Sequence, residues 1–383
     1  MSLEKHAKTD LLVIGAGVAG CLTAISLADQ YDVTLIDQLS EPSDRIGESL
    51  APAAQRILKQ LGIFQNLNPR KKEQLYRKNI GMQSYWGSDR VQIEDHLNNP
   101  DGPVLCLNRK EFENHLRRTA MERGVRSIWP TRFYSSFYEQ GRWLVTTTAG
   151  TPSPNNIKQQ ITARFVVDAT GRPSRFARQV GVRRDHFDKL ISCWSTMPDH
   201  GKNKMSTISA CESGWWYSAV VPGHRRVLAY QTDADLIDRN QMRELEGFLL
   251  LAKEHQPVRR LLHESHDAIQ FHGTVSANST RLEHVAGNQW VAIGDAALSF
   301  DPLSSQGLFH AMASAMQFKE LITGLDLIKD PTSRKMDQFR LLYTHQMDEV
   351  WERYLHHKRV YYGAERRWAA CPFWRRRQER SDQ

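Results

Sequence analysis

A glycine-rich turn near the amino terminus is the first feature of the sequence with recognisable chemistry. Gly15, Gly17 and Gly20 form a GxGxxG pattern that follows the apolar run Leu11–Ile14 and opens a helix-forming segment. The first glycine permits a tight turn, the second lets the backbone approach a pyrophosphate, and the third lets the helix pack closely on the strand. The start of the helix adds N–H donors and a partial positive charge. The pattern, with Ala19 inside it, predicts a dinucleotide site.

An acidic residue follows at a spacing suited to ribose recognition. Val33–Ile36 is a second apolar run typical of a buried strand, and Asp37 ends it, 17 residues after Gly20. A carboxylate at this place binds ribose hydroxyls in nucleotide-binding βαβ units. These residues alone leave FAD and NAD open as the cofactor.

A segment much later in the chain favours FAD. Asp295 follows the short apolar run Trp290–Ile293, where its carboxylate can accept hydrogen bonds from the ribityl hydroxyls of an extended FAD. Pro302, Ser305 and Gly307 then belong to a turn that leads into a long helix. The amino-terminal dipole of that helix would face the pyrimidine edge of the flavin, which gains negative charge on reduction.

Three further motifs give the sequence a family resemblance. They are Gly47-Glu48-Ser49, Arg109 at a helix start, and Asp168-Ala169-Thr170-Gly171. Together with the two segments above, and in the same order and spacing, they resemble class A FAD-dependent monooxygenases over most of the chain. Gly-Glu-Ser and Asp-Pro-Leu-Ser-Ser-Gln-Gly resemble the tryptophan-halogenase-like branch. The closest resemblance is to flavoproteins that mature the cysteine tryptophylquinone cofactor of lysine ε-oxidase and glycine oxidase.

The resemblance implies roles for individual residues. Arg45, Glu48 and Ser49 would line the FAD diphosphate and the approach to the flavin, and Arg109 would hold the pyrophosphate. Asp168 would lie near the adenosine half. Asp295 would bind the ribitol, and the segment from Pro302 to Gly307 would border the isoalloxazine ring.

The catalytic residues are less clear from the sequence. Glu48, Trp216 and Tyr217 are candidates, the last two because they stand on a predicted strand of the sheet that would carry the substrate. Strand alternation sends Trp215 and Tyr217 to one face and Trp216 to the other. These rings are equally typical of a hydrophobic core. His272 and His310 qualify as acids or bases by residue type only.

Two departures separate the sequence from tryptophan halogenases. Those enzymes have a Trp-x-Trp-x-Ile-Pro pattern, which the stretch Gly214–Pro222 does not match. They also need a lysine about thirty residues after Gly-Glu-Ser. Lys71, Lys72 and Lys78 fall near that place, but a segment so rich in basic residues is more typical of a solvated charge cluster.

The motifs predict an α/β fold with interleaved domains. We expect a Rossmann-like FAD-binding domain of the p-hydroxybenzoate hydroxylase type, an inserted and mainly antiparallel substrate sheet, and a helical carboxy-terminal region. The FAD-binding domain would comprise residues 1–80, 109–184 and 285–330. The substrate domain would comprise residues 81–108 and 185–284, and the basic helical region residues 331–383.

The composition restricts the class of protein and the compartment in which it works. The 383 residues include 51 Lys and Arg against 43 Asp and Glu, a net charge of +8, with no apolar run long enough to span a membrane. Five scattered cysteines without a CxxC pair predict a reduced, cytoplasmic protein with no metal site. From Trp351 to Gln383, nine basic residues face four acidic ones. This tail is either a solvated helix or a docking surface, and no nucleic-acid module accompanies it.

Three functions remain open at this stage. The leading hypothesis is FAD-dependent hydroxylation of a tryptophan side chain in a partner amino-acid oxidase precursor, during cysteine tryptophylquinone biogenesis. The reaction would use molecular oxygen, with electrons from NAD(P)H or a separate flavin reductase, since there is no second GxGxxG. The alternatives are a hydroxylase or halogenase of a free aromatic or indole metabolite, and a non-catalytic flavoprotein chaperone of the oxidase precursor.

Overall fold

The structure, a computed structural model, describes residues 7–65, 67–95, 99–149, 158–199, 201, 204–238, 240–262 and 268–379. Its strands, in chain order, are β1 (Ala7–Ile14), β2 (Val33–Ile36), β3 (Ser49–Leu50), β4 (Tyr76–Asn79), β5 (Gly81–Tyr85), β6 (Gln92–Asp95), β7 (Val104–Leu107), β8 (Arg126–Ile128), β9 (Thr131–Glu139), β10 (Arg142–Ala149), β11 (Lys158–Asp168), β12 (Arg184–His186), β13 (Leu190–Pro198), β14 (Ser206–Cys211), β15 (Gly214–Val221), β16 (Arg225–Asp233), β17 (Gln270–Ser276), β18 (Thr280–Leu282), β19 (Ala286–Gly287), β20 (Trp290–Ala292) and β21 (Leu298–Ser299).

The helices, in chain order, are α1 (Val18–Leu27), α2 (Pro52–Gln60), α3 (Pro69–Leu75), α4 (Arg109–Glu122), α5 (Arg175–Gln179), α6 (Leu245–Glu254), α7 (Gln256–Arg259), α8 (Gly307–Gly324), α9 (Ser333–Ala364) and α10 (Pro372–Gln378). Short 3₁₀ turns lie at Gln241–Arg243, Gly294–Ala296 and Pro302–Ser304. No helix in this part of the chain combines the length and the apolar character needed to cross a lipid bilayer.

A parallel sheet forms the centre of the FAD-binding part. Its strands lie in the order β19-β20-β11-β1-β2-β8, and the hairpin of β9 and β10 extends it from β11. β1 pairs in parallel with both β2 and β11, and α1, which is buried along its whole length, packs beside it. Because parallel strands are covered on both faces, their sequences are continuous apolar runs. The carboxyl ends of β1, β2, β11 and β20 therefore meet at one edge, where ligands bind in such sheets.

A second sheet forms the substrate part. Its seven strands lie in the order β17-β13-β16-β15-β14-β5-β6, and most neighbours are antiparallel. The sheet draws its strands from two stretches that the FAD-binding part separates. Small sheets, β3-β7-β4 and β12-β18-β21, lie between the two parts. The observed architecture is the predicted fold class.

The two faces of the seven-stranded sheet pack against different parts of the molecule. On the outer face, Trp216 and Tyr230 form a hydrophobic cluster with Phe248 of α6. On the opposite side, which we call the inner face, Trp194, Ala219, Val221, Val227 and Ala229 cluster with Cys106 of β7 and Ile46, and Tyr217 packs against them. The inner face therefore lies toward the FAD-binding part.

Candidate functional site

The turn after β1 has the geometry of a diphosphate cradle. Gly15 has a φ of +109°, and a Cβ there would lie 2.3 Å from the carbonyl oxygen of Ala169. A Cβ on Gly20 would lie 1.9 Å from the carbonyl oxygen of Gly15, so this glycine lets α1 pack on the turn. A Cβ on Gly17, in contrast, would meet no atom within 4 Å. Gly17 therefore faces open space at the start of α1, as a cofactor diphosphate requires.

Asp37 connects this turn to α4. Its Oδ2 accepts a hydrogen bond of 2.7 Å from the Ala16 N–H, and its Oδ1 lies 3.1 Å from Nη2 of Arg117. The Arg117 Nε donates in turn to the carbonyl oxygen of Ala16. Arg117 is buried, and the sequence analysis missed it. The Asp37 carboxylate is thus held rigidly beside the glycine turn, and its ribose contact stays a prediction.

Ala19 and Gly294 bring the two predicted FAD segments together. Gly294, at the start of the turn after β20, has a φ of +54°, and a Cβ there would lie 3.0 Å from the Cβ of Ala19. The Gly294 N–H donates to the hydroxyl of Ser314 on α8. The glycine turn and the Asp295 segment are therefore in direct contact, as a single cofactor spanning both would need.

A cluster of charged residues follows the Gly-Glu-Ser motif. Arg109 donates from Nη1 to the carbonyl oxygen of Gly47 at 2.7 Å and from Nη2 to Oε1 of Glu113 at 2.6 Å. The half-exposed Arg45 lies 3.7 Å from the other oxygen of Glu113. The buried Nε of Arg109 has no hydrogen-bond partner among the described residues. A free donor on a buried guanidinium fits an anionic group such as a diphosphate. Glu113, which orients both arginines, was not found from the sequence.

Glu48 is buried where the FAD-binding part meets the inner face. Its Oε2 accepts a hydrogen bond from the Gly47 N–H, and its Oε1 makes no hydrogen bond of ordinary geometry among the described residues. Burial raises the pKa of the Glu48 carboxyl, although its own backbone N–H and the Tyr217 hydroxyl oppose that change. Burial and the Glu48 charge also raise the pKa of Tyr217, whereas its hydrogen bond with Ser49 lowers it. The structure thus brings Glu48, Ser49 and Tyr217 together.

Trp216, the third catalytic candidate, lies elsewhere. Its ring stacks on Tyr230 at 4.7 Å and packs against Phe248 on the outer face. Tyr217 and Trp215 project from the inner side, as strand alternation predicted. Trp216 is therefore a core residue in this structure and does not reach the Glu48 cluster, which corrects its inclusion among the candidates.

Asp168 is also turned inward. Its Oδ1 accepts hydrogen bonds from the backbone and hydroxyl of Thr170, and its Oδ2 accepts one from the Ala177 N–H. Burial raises its pKa, and these hydrogen bonds oppose the change. The carboxylate holds the loop between β11 and α5. A contact with the adenosine half stays a prediction.

The Asp295 segment presents groups suited to the flavin end. The Asp295 side chain is partly exposed, and its Oδ2 lies 3.8 Å from Nε of Arg172. Beyond it, the turn from Pro302 to Ser305 leads to Gly307 at the start of α8, and a Cβ on Gly307 would meet no atom within 4 Å. The dipole of this eighteen-residue helix points into open space. These residues fit the ribityl chain and the pyrimidine edge of FAD.

A buried hydrogen-bond network secures the flavin-side turn to α9, and no sequence pattern indicated it. Asp301 Oδ1 accepts from the Leu303 N–H and Oδ2 accepts from the Tyr362 hydroxyl at 2.8 Å. The Tyr362 hydroxyl in turn accepts a hydrogen bond from Trp215 Nε1 on the substrate sheet. Lys358 lies 3.8 Å from Asp301. One network therefore joins the turn, the sheet and the carboxy-terminal helices.

The two candidate histidines are packed against aromatic rings. His310 is buried, its Nε2 has no partner among the described residues, and burial lowers its pKa to about 4. His272 stacks on Trp194 with ring centroids 3.9 Å apart and an interplanar angle of 8°. Its Nε2 contacts the Thr196 hydroxyl, and burial lowers its pKa. His272 thereby fixes the orientation of Trp194 at the inner face.

Two of the lysines considered for halogenation are either paired or exposed. Lys71 contacts Gln74 and Glu111, and the Lys78 side chain is exposed on β4. The inward residue next to Lys78 is Asn79, which is buried. Within the described ranges, no group of three or more His, Cys, Asp or Glu side chains is arranged to hold a metal ion.

Part of the basic tail packs against the substrate sheet. Phe373 and Trp374 of α10 are fully buried, and Trp374 Nε1 donates to the Cys211 carbonyl. Arg376 and Arg377 form ion pairs with Asp233 of the substrate sheet. Phe373, Trp374 and Arg377 are thus used within the molecule, whereas Arg366 and Arg375 are exposed. A docking role for the tail stays a prediction.

Comparisons with known proteins agree with this geometry. The sequence model of a family described as "FAD binding domain" matches residues 8–323. The chain is 27% identical over 377 residues to the putative FAD-dependent oxidoreductase LodB of Marinomonas mediterranea, covering 96% of each protein. Its fold resembles the flavin-dependent halogenase CmlS, with a TM-score of 0.80 and 22% identity over 97% of this chain and 68% of that one. It also resembles the peptidyl tryptophan dihydroxylase QhpG, with a TM-score of 0.76 and 22% identity over 98% and 80% of the two chains.

Proposed function

Because the chain belongs to the FAD binding domain family and is an FAD-dependent enzyme of the monooxygenase type, we propose that it hydroxylates a tryptophan side chain in a partner oxidase precursor. The modified residue would become part of a cysteine tryptophylquinone. The match to LodB along almost the whole of both proteins supports this assignment. QhpG, a dihydroxylase essential for tryptophylquinone cofactor biogenesis, has the same fold.

The observation that carries the proposal is the buried Glu48–Tyr217 pair beside an apolar stretch of the inner face. Trp194, Ala229 and Ala219 provide aromatic and small apolar surface beside it. Such a surface suits a flat, electron-rich ring and excludes water from the reaction. It offers no cluster of charges that would favour a small polar substrate.

Reduced FAD, when bound, supplies with molecular oxygen an electrophilic oxygen atom for an aromatic ring. Hydroxylation replaces a ring C–H with C–OH, so one proton leaves the ring carbon, and the second oxygen atom leaves as water. We assign Glu48 Oε1 as the acceptor of that proton, because this atom is buried and makes no hydrogen bond of ordinary geometry with a described residue. Burial raises the pKa of this carboxyl, which makes it a stronger proton acceptor than an exposed carboxylate. The Tyr217 hydroxyl orients the carboxyl.

The placement of the lysines supports hydroxylation over halogenation. The resemblance to halogenases calls for a lysine that captures hypohalous acid, but Lys71 is paired with Glu111 and Lys78 faces solvent. The similar TM-score of CmlS keeps a halogenase of an aromatic metabolite as the second candidate. Electrons from NAD(P)H or a separate reductase, and a cytoplasmic setting, belong to the same proposal. The five free cysteines fit a reducing compartment.

The test is to incubate the FAD-loaded enzyme with the unmodified partner precursor, a reductant and oxygen. Mass spectrometry should find a gain of about 16 mass units per transferred oxygen on a tryptophan. A Glu48→Gln variant should keep its FAD and lose most of this activity, while the surface variant Lys78→Ala should retain it. A product that contains chloride or bromide would support the halogenase instead. Maturation of the partner without any reductant would identify a non-catalytic chaperone.

A further inference from the structure

The register of the substrate sheet places a polar row on the inner face. Gln231 of β16 lies directly opposite Ser192 of β13 on one side and Trp215 of β15 on the other. Trp215 and Tyr217 share one face of their strand, because side chains two residues apart point the same way. Gln231 and Ser192 therefore lie on the same side of the sheet as the Glu48–Tyr217 pair, one row away from it.

Three side chains of this region are buried without hydrogen-bond partners among the described residues. They are Ser192 Oγ, Gln231 Oε1 and Trp194 Nε1, on side chains that are 1%, 1% and 4% exposed. A buried polar atom with no partner costs about 1–3 kcal/mol, so native proteins keep few of them without a purpose. Two of the three atoms, Gln231 Oε1 and Ser192 Oγ, can accept, and they lie opposite each other on the inner face, where one donor from a ligand would complete them.

Neighbouring side chains do not satisfy Gln231. The indole N–H of Trp215 is already donated to the Tyr362 hydroxyl at 3.1 Å. The Tyr217 hydroxyl interacts with Glu48 and Ser49. Ser192 stands directly opposite Gln231, yet neither the Ser192 hydroxyl nor Gln231 Oε1 has a partner in the described part of the chain. The acceptor on Gln231 is therefore free for a donor that comes from outside the chain.

We propose that Gln231 Oε1 accepts the ring N–H of an indole substrate and so selects indole over rings that lack this donor. The inference rests on the proposed function, because it takes the inner face as the place of the aromatic ring. An indole has a single N–H donor on an otherwise apolar ring, which matches a buried acceptor close to aromatic and small apolar side chains. Ser192 Oγ lies beside Gln231 as a second acceptor, so it supports the same donor.

The expected difference in affinity between rings with and without the N–H follows from the burial of the acceptor. A site built to accept a hydrogen bond rejects the analogue that lacks the donor, because its own buried group is then left unpaired. We expect indole to bind about tenfold more tightly than benzothiophene, which has a similar shape and no N–H. That ratio corresponds to about 1.4 kcal/mol.

The experiment compares the two rings on the oxidised, FAD-loaded enzyme. Dissociation constants for indole and for benzothiophene are measured from the change in the visible absorbance of bound FAD on titration. The native protein should prefer indole, and Gln231→Met should bring the ratio close to one. Failure of both rings to bind, equal affinities in the native protein, or an unchanged preference in Gln231→Met would each overturn the proposal. The native comparison stands even where the variant fails to fold.

Ser195→Ala is the matched control. The Ser195 hydroxyl is also buried without a partner, but strand alternation places it on the outer face, next to Trp194 in the sequence. Its removal should leave the preference for indole unchanged. A loss of preference in Ser195→Ala as large as that in Gln231→Met would indicate a general loosening of the sheet and would contradict the assignment.

This binding assay and the test of the proposed function can fail separately. If the partner precursor gains oxygen while indole and benzothiophene bind equally, the recognition by Gln231 is wrong and the hydroxylation stands. If Gln231 controls the preference while no partner is oxidised, the site accepts an indole ring and the proposed protein substrate is wrong.

Discussion

Replacing Gly17 with alanine tests whether the turn after β1 holds a diphosphate. The added Cβ would meet no protein atom within 4 Å, and the backbone of Gly17 has a φ of −80° and a ψ of −169°, which alanine adopts without strain. The methyl group would instead enter the space that the cofactor requires. The substitution should therefore raise the stability of the apoprotein and lower its affinity for FAD.

The size of each effect can be estimated. Alanine in place of a compatible glycine stabilises a protein by about 0.4–1 kcal/mol, since the unfolded chain loses freedom. A methyl group that displaces a diphosphate from two backbone N–H donors would cost about 1.5–3 kcal/mol for each hydrogen bond to a charged group. The sum of about 3–6 kcal/mol corresponds to a loss in FAD affinity of roughly 10² to 10⁴.

The assay measures FAD affinity by fluorescence titration of apoprotein, and stability by urea denaturation of the same apoprotein. Gly363→Ala, in α9, is the control, because its Cβ also meets no atom within 4 Å and lies far from the turn in the sequence. It should stabilise the helix by about 1 kcal/mol and leave FAD affinity unchanged. A Gly17→Ala protein that binds FAD as tightly as the native one would refute the placement of the diphosphate.

Three further predictions concern buried groups. Burial raises the pKa of the Glu48 carboxyl, so the native protein loses stability as the pH rises through that pKa. Glu48→Gln should remove this loss. The melting temperature of the variant minus that of the native protein should therefore be larger at alkaline pH than at acid pH. The pKa of His310 is lowered to about 4, so its contribution is present above about pH 6.5 and declines as the pH falls; His310→Leu should recover up to about 3 kcal/mol at pH 4 in urea denaturation, and an unchanged acid sensitivity would contradict this. Trp374→Ala should lower the free energy of unfolding by about 3–5 kcal/mol because the ring is fully buried; an effect below about 1 kcal/mol would mean that α10 is not part of the core.

The sequence was most informative where the structure is local. Gly15, Gly17 and Gly20 meet three separate steric requirements within six residues, so their spacing is enough to predict the turn. The alternation of Trp215, Trp216 and Tyr217 likewise follows from the pleat of a single strand. Such features depend on neighbouring residues along the chain, and for that reason they could be predicted without coordinates.

Contacts between distant segments could not be predicted in this way. Asp301 and Tyr362 are separated by 61 positions, and Arg377 reaches Asp233 across 144. The number of basic residues in the tail does not indicate that Asp233 of the substrate sheet pairs with two of them. The sequence could not distinguish a core role from a substrate-binding role for Trp216, because the distant helix α6 packs on the face of the sheet that carries this ring.

The interleaving of the two sheets determines how this scaffold can be recombined. The chain passes between the FAD-binding part and the seven-stranded sheet four times, after β4, after β6, after β12 and after β17. A chimera that borrows a foreign substrate sheet must therefore join both of its segments at four junctions, and a single transplanted block would leave β5 and β6 behind. New substrate preferences are more accessible through point changes in the row around Gln231 than through the exchange of whole domains.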